Sequence, residues 1–326
     1  MHDIAILGAG RIGRIHATNA ARHPGLRLKY IVDPMAAAAT ALAGETGAQV
    51  ADLETALADP SVAGVIIASS TDTHLDYSCR AVAAGKAVFC EKPIDQDLER
   101  ARSAAASLGS ARLFLGFNRR FDPHFQALKA RLDSGAVGAL ETVQITSHDP
   151  APPPVSYIKV SGGIFKDMSI HDFDMARWLL GEPVTQVYAA ASCLVDPAIG
   201  EAGDVDTAKI LLRTGSGKLC VISNSRRSGY GYDQRIEAFG SKGMVKADNV
   251  LESTVSVWGA DGAAADRLQN FFLDRYAAAY RLEMDHFADI LSGKTSPAIT
   301  YADGVGALEL AEAAAQSVTS GQVVTL

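Results

Sequence analysis

The chain has 326 residues, of which 48% are hydrophobic and 21% charged, with a formal net charge of −7. That length holds two domains with separate cores, and that apolar share excludes a disordered chain. The acidic balance excludes a nucleic-acid or anionic-membrane partner, because no basic field steers toward phosphate.

The basic pairs Arg119-Arg120 and Arg226-Arg227 are isolated and form no stripe. Cys79, Cys90, Cys193 and Cys220 show neither a CxxC nor a metal-ligand spacing, so they read as reduced thiols and no metal site is expected. The opening "MHDIAILGAG" lacks the basic region of a signal peptide, and no apolar run approaches the roughly 20 residues that cross a bilayer. A cytoplasmic protein is the expectation.

In chain order, "DIAIL" (3–7), "RLKYIV" (27–32), "AGVIIAS" (63–69), "AVFC" (87–90) and "LFLGF" (113–117) read as buried strands separated by Ala-rich helical segments. Near-continuous apolar strands alternating with helices predict a parallel sheet covered on both faces. After residue 121 the pattern changes. A stiff extended segment, "DPAPPPV" (149–155), precedes a helix expected over "GGIFKDMSIHDFDMARWLLG" (162–181).

Six runs then predict a mostly antiparallel sheet open on one face: "ETVQITSH" (141–148), "TQVYAAAS" (185–192), "AKILLR" (208–213), "KLCVIS" (218–223), "RIEAFG" (235–240) and "STVSVWG" (253–259). "RTGSGK" between two of them signals a hairpin. Two closing helices carry apolar stripes, Tyr276-Tyr280-Met284-Phe287-Leu291 and Val305-Leu308-Ala311-Ala315-Val318, and are assigned to packing. The domains expected are 1–121, a Rossmann dinucleotide-binding unit, and 122–326, an α/β unit for substrate binding and oligomerisation.

The first chemical signal is "ILGAGRIGRIHA", with Gly8, Gly10 and Gly13 in a G-x-G-x-x-G directly after a strand. Gly8 permits the tight turn, Gly10 admits a pyrophosphate to the backbone, and Gly13 lets the helix pack on the strand. Arg11 and Ile12, inside the motif, are candidate cofactor contacts with them. Asp33, 20 residues past Gly13, suits a ribose 2′-hydroxyl and would repel a 2′-phosphate, which predicts NAD. "ASSTDTH" (68–74) ends a strand near the expected switch point, with His74 at the cofactor rim.

The second signal is "CEKPI" (90–94), which sets Lys92 at the carboxyl end of a strand and before a proline that restricts its backbone. Such a lysine could stabilise a developing alkoxide beside a nicotinamide, but on composition alone an ordinary surface lysine is the favoured reading. The third is the stripe Asp167, His171 and Asp174, at i, i+4 and i+7 of the expected helix, where buried charge needs partners or a task. A histidine there can take a hydroxyl proton as hydride leaves carbon, and Asp167 can accept from neighbouring hydroxyls. A structural hydrogen-bond network is the alternative, with Asp174 pairing Arg177. Asn118, Arg119, His148 and Tyr232 are further candidates for substrate contact.

The N-terminal G-x-G-x-x-G, "EKP", "GFNRRFDP" (116–123) and "GGIFKDMSIHDFDMARWLLG" together resemble the glucose–fructose oxidoreductase/inositol dehydrogenase (Gfo/Idh/MocA) family, in order along the whole chain. By that resemblance Lys92, Asp167 and His171 match the catalytic lysine, aspartate and histidine, and Ser69, Thr71, His74 and Glu91 match cofactor contacts. Ser70 departs from the pattern, since many members carry proline there. The inositol-oxidising members have similar versions of "DPAPPP" and "GGIFKDMSIHDFDMARW". The resemblance therefore implies a homotetrameric NAD-dependent dehydrogenase that oxidises a cyclic polyol, myo-inositol to an inosose. An aldose 1-dehydrogenase and a non-catalytic dinucleotide-binding regulator are the alternatives, and retention of Lys92 and His171 favours an enzyme.

Overall fold

The computed structural model describes all 326 residues as two compact units. The first comprises Met1–Phe121 and Ala279–Leu308; the second comprises Asp122–Ala278 and Glu309–Leu326.

In the first unit six strands form one parallel sheet: β1 (His2–Leu7), β2 (Leu26–Val32), β3 (Gln49–Val50), β4 (Val62–Ile67), β5 (Ala87–Glu91) and β6 (Leu113–Gly116). Their order, β3-β2-β1-β4-β5-β6, reverses direction between β1 and β4. That reversal makes the crevice beyond the carboxyl ends of β1 and β4, where open α/β sheets bind ligands. Ile4 to Leu7, Val65 to Ile67 and Val88 to Cys90 are all fully buried, as strands covered on both faces must be. Strand β3 is two residues long and carries no apolar run, so nothing in the local pattern predicts it.

The assignment of everything after residue 121 to the second unit does not hold for 279–308. The helix Ala277–Leu291 lays Phe287 and Leu291 against β4, where a Cβ on Gly64 would stand 2.9 Å from each. Gly304, in the helix Tyr301–Ser320, admits Leu115 in the same way, since a Cβ there would be 2.2 Å from Leu115 Cδ1. The chain returns because the first sheet leaves apolar surface that side chains such as Phe287 and Leu291 cover.

The second unit is built on a seven-stranded mixed sheet of β7 (Leu140–His148), β8 (Val184–Ser192), β9 (Thr207–Thr214), β10 (Leu219–Ser225), β11 (Asp233–Gly240), β12 (Gly243–Ala247) and the terminal Val324–Thr325. Its order is β12-β11-β7-β10-β9-β8 with Val324–Thr325 outermost, and only the β7–β10 pair is parallel. β9 and β10 are joined by the expected hairpin. One run was misplaced: Ser256–Gly259 pairs with Gly262–Ala265 in a separate, exposed two-stranded hairpin and not with the main sheet. Alternating burial along β9 and β11 leaves one face of the sheet packed and the other open. Tyr188, Leu211, Leu219, Val221, Phe239 and Met244 stand exposed on the open side.

The segment 162–181 is not one continuous helix. Gly163–Asp167 and Ser169–Leu180 are separate helices joined at Met168 (φ −99°, ψ −59°), after Gly162 and Gly163 at φ +84° and +80°. Only glycine takes two successive positive φ values without strain, so this pair sets where Asp167 emerges. No helix of the chain is long and apolar enough to cross a membrane.

Candidate active site

In the first unit β1 runs into a turn that only glycine can make. Gly8 has φ +111°, and a Cβ there would meet the Ala68 carbonyl oxygen at 2.4 Å, so the ends of β1 and β4 close on each other. A Cβ on Gly13 would lie 1.9 Å from Gly8 O, whereas Gly10 is exposed with nothing within 4 Å. The helix Arg11–Arg22 that follows has no side-chain cap and no acidic residue in its first turn. Its unsatisfied N–H groups and positive dipole end are therefore available to an anion such as a pyrophosphate.

Asp33 lies just past β2 and orders this turn: Oδ2 accepts from Ala9 N at 2.6 Å and Oδ1 from Met35 N at 2.7 Å. Each oxygen retains a second lone pair, so the carboxylate can still accept from ribose hydroxyls. These residues fit a dinucleotide.

Ser69 and Thr71 are half-buried in the loop after β4, with Ser69 Oγ 2.6 Å from Thr73 Oγ1. His74 is buried to 2% exposure, its Nδ1 2.8 Å from Pro93 O and its Nε2 3.2 Å from Ser69 O. Burial lowers its pKa, and a neutral ring donates to only one of these two carbonyls; the shorter contact, to Pro93 O, ties it to the EKP turn. Lys92 follows β5 and is half-buried beside Pro93, which it precedes through a cis peptide bond. Asn118 and Arg119, past β6 at the same sheet edge, are buried to 4% and 5% exposure. Asn118 Oδ1 has no hydrogen-bond partner, which leaves an acceptor to be satisfied.

In the second unit one end of the mixed sheet collects the polar groups. Strand pairing sets His148 opposite both Ser225 and Asp233. His148 Nε2 is 2.9 Å from Ser223 Oγ, and burial, opposed by Asp233, lowers its pKa. Asp233 is fully buried and accepts from Tyr230 Oη (2.6 Å), Arg235 Nε (2.7 Å) and Asn249 Nδ2 (2.7 Å). Burial alone would raise its pKa, but these donors outweigh that and hold it below the ordinary value. Tyr232 is buried to 7% exposure, its ring edge-on to Tyr276.

Asp167 and His171 are half-buried, whereas Asp172 and Asp174 are wholly buried. Asp172 Oδ2 accepts from Asn224 Nδ2 at 2.7 Å, and Asn224 Oδ1 accepts from Ser169 Oγ at 2.7 Å. This chain of hydrogen bonds anchors the helix Ser169–Leu180 on β10 and so orients the neighbouring His171. Asp167 is held on both oxygens: Tyr157 Oη donates to Oδ1 at 2.9 Å and Arg226 Nη1 to Oδ2 at 3.2 Å.

Several of these residues escaped the reading of the sequence. Arg226, dismissed as half of an isolated basic pair, is 1% exposed. Asp172 was overlooked beside Asp174. His16 and Glu283, both fully buried, sat unremarked in a helix start and an apolar stripe. A charged or imidazole side chain on an otherwise apolar helix face was the available signal for the last two.

The model of the oxidoreductase family with an NAD-binding Rossmann fold matches residues 2–118, and the model of the GFO/IDH/MocA C-terminal domain matches residues 125–246. An inositol 2-dehydrogenase of Rhizobium meliloti is 47% identical over 323 residues, covering 98% of either chain. A myo-inositol 2-dehydrogenase of Thermotoga maritima is 45% identical over 332 residues, covering 99% of this chain and 98% of that one. The crystal structure of a myo-inositol dehydrogenase from Corynebacterium glutamicum superposes with a TM-score of 0.95 at 44% identity, covering 100% of this chain and 99% of that chain. The glycine turn, the EKP strand end and the paired family models converge: the chain belongs to the GFO/IDH/MocA family of NAD-binding oxidoreductases.

Proposed function

We propose that this protein is an NAD-dependent inositol dehydrogenase that oxidises one ring hydroxyl of myo-inositol to give an inosose. The observation that carries the reading is full-length similarity to a myo-inositol 2-dehydrogenase and a myo-inositol dehydrogenase, at 45% and 44% identity, in a chain that carries Lys92, Asp167 and His171.

NAD, when bound, supplies the acceptor for the hydride. The turn Gly8–Gly13 and the uncapped start of Arg11–Arg22 bind its pyrophosphate, and Asp33 accepts from its adenosine ribose. Arg11, Ile12, Ser69, Thr71 and Glu91 complete the cofactor contacts, and His74 holds their loop. Lys92 donates to the substrate oxygen and stabilises it as negative charge develops. His171 takes the hydroxyl proton, and Asp167, held by Arg226, accepts hydrogen bonds from the polyol. Asn118, Arg119, His148 and Tyr232 contact the remaining hydroxyls. Residues 1–121 form the core of the NAD-binding domain, with 279–308 packed on it.

The open face of the mixed sheet supports assembly into a homotetramer. Its exposed apolar residues form two groups, Leu211 registered with both Val221 and Tyr188, and Phe239 with Met244. The protein is assigned to the cytoplasm.

The test is absorbance near 340 nm with NAD and a panel of myo-inositol, scyllo-inositol, glucose, galactose and xylose. Myo-inositol should give the highest kcat/KM. If an aldose exceeds every inositol, the substrate is reassigned and the dehydrogenase chemistry stands. If no polyol or sugar is oxidised while NAD still binds, the protein is a dinucleotide-binding regulator.

A further inference from the structure

We propose that Arg226 is a positioning residue for this reaction: it fixes the orientation in which the Asp167 carboxylate meets the polyol. The inference rests on Asp167 belonging to the substrate site, as proposed above.

Arg226 is the first residue beyond β10, and its own N–H donates to Asp206 O at 2.8 Å. That bond turns the chain at the strand end and sends the side chain inward. The guanidinium then lies between two carboxylates, with Nη1 3.2 Å from Asp167 Oδ2 and Nη2 3.7 Å from Asp204 Oδ2. Asp204 is in turn tied to the glycine pair before Asp167. Its Oδ1 accepts from Ile164 N at 3.1 Å, and a Cβ on Gly163 would come within 2.9 Å of that oxygen.

Arg226 therefore braces both ends of the short helix that presents Asp167. A surface arginine contributes little through an ion pair, but this one is 1% exposed, so its desolvated charge requires a carboxylate held against it. Nε and Nη2 have no hydrogen-bond partner, nor does Asp204 Oδ2, so this buried cluster is not optimised for hydrogen bonding alone. A fixed, permanently charged fork suits a site that must hold one carboxylate in one orientation.

The other charged or titratable side chains around Asp167 fit the same purpose. Tyr157, on the helix Val155–Ser161, donates to Oδ1 and is itself 46% exposed. Lys166, the adjacent residue, pairs with Glu312 at 2.6 Å. Arg226 is thus a buried cation held against the Asp167 carboxylate.

The experiment is a double-mutant cycle on the full-length enzyme, read by kcat and KM for myo-inositol and by NAD binding. Arg226→Gln should lower kcat/KM for the polyol roughly tenfold or more and leave the NAD dissociation constant within about twofold. In an Asp167→Asn background the same change should cost little further, because the carboxylate it positions is already gone. Arg226→Lys should restore part of the loss. Additive losses in the cycle, or an equal fall in NAD affinity, would assign Arg226 to fold stability and overturn the proposal. If Arg226→Gln does not fold, Tyr157→Phe, at an exposed position, takes its place; a loss that persists undiminished in Asp167→Asn overturns the idea equally. Near-normal turnover in Asp167→Asn alone would instead refute the assignment of Asp167 to the substrate site, a separate result.

Discussion

His16 Nε2 lies 2.7 Å from Glu91 Oε1, so the residue immediately before Lys92 is tied to the first helix of the dinucleotide-binding sheet. The imidazole is fully buried, edge-on to Phe89 and Tyr280. Gly116 allows the arrangement, because a Cβ there would sit 3.1 Å from the Glu91 carboxylate. Three residues past Tyr280, Glu283 is also fully buried, and neither of its carboxyl oxygens has a hydrogen-bond partner. Burial, reinforced by the negative charge of Glu91, raises its pKa well above the ordinary value.

That shift carries a signed prediction. The unfolded chain releases the Glu283 proton near the ordinary glutamate value of about 4.3. Above that pH the folded form still holds the proton, so stability falls as pH rises toward the raised pKa. Glu283→Gln, neutral and nearly isosteric, should therefore melt higher than the parent protein at pH 8, with the advantage shrinking as pH approaches 4. Thermal melts across that range check it; a constant difference at all pH values would mean the carboxyl is ionised in the folded state.

In the proposed reading Asp33 sets the preference for NAD. A 2′-phosphate would place two negative groups together at the end of β2, where the carboxylate is fixed by Ala9 N and Met35 N and cannot swing away. NAD should exceed NADP in kcat/KM by roughly 10²-fold, and Asp33→Ser should narrow the ratio by about tenfold, a loss of one like-charge contact. Equal use of both cofactors by the unaltered protein would refute this.

Lys92→Ala and His171→Ala should each reduce kcat by roughly 10²-fold or more, the usual scale for removing an alkoxide donor or a general base. NAD affinity should be nearly unchanged in His171→Ala. Turnover measured beside circular dichroism separates lost chemistry from lost fold.

Leu211 lies on the open sheet face, paired across the ladder with Val221 and Tyr188. Leu211→Glu should shift the proposed tetramer toward smaller species by light scattering, because it would set a charge in the proposed apolar contact. An unchanged mass would place the subunit interface elsewhere.

Local pattern determined much of this protein. The glycine spacing, the apolar strands and the acid at residue 33 are dictated by backbone geometry within a few dozen residues, which is why the dinucleotide-binding half was legible. The stripe at Asp167, His171 and Asp174 was visible for the same reason, although the break at Met168 (φ −99°, ψ −59°) was not.

Tertiary structure decided what sequence distance conceals. Arg226 reaches Asp167 across 59 residues and His16 reaches Glu91 across 75, contacts that no periodicity announces. The return of residues 279–308 to the first unit is of this kind too. An apolar stripe on a helix states that it must be covered, but which sheet covers it depends on complementary gaps such as the one at Gly64, and those exist only once both elements have folded.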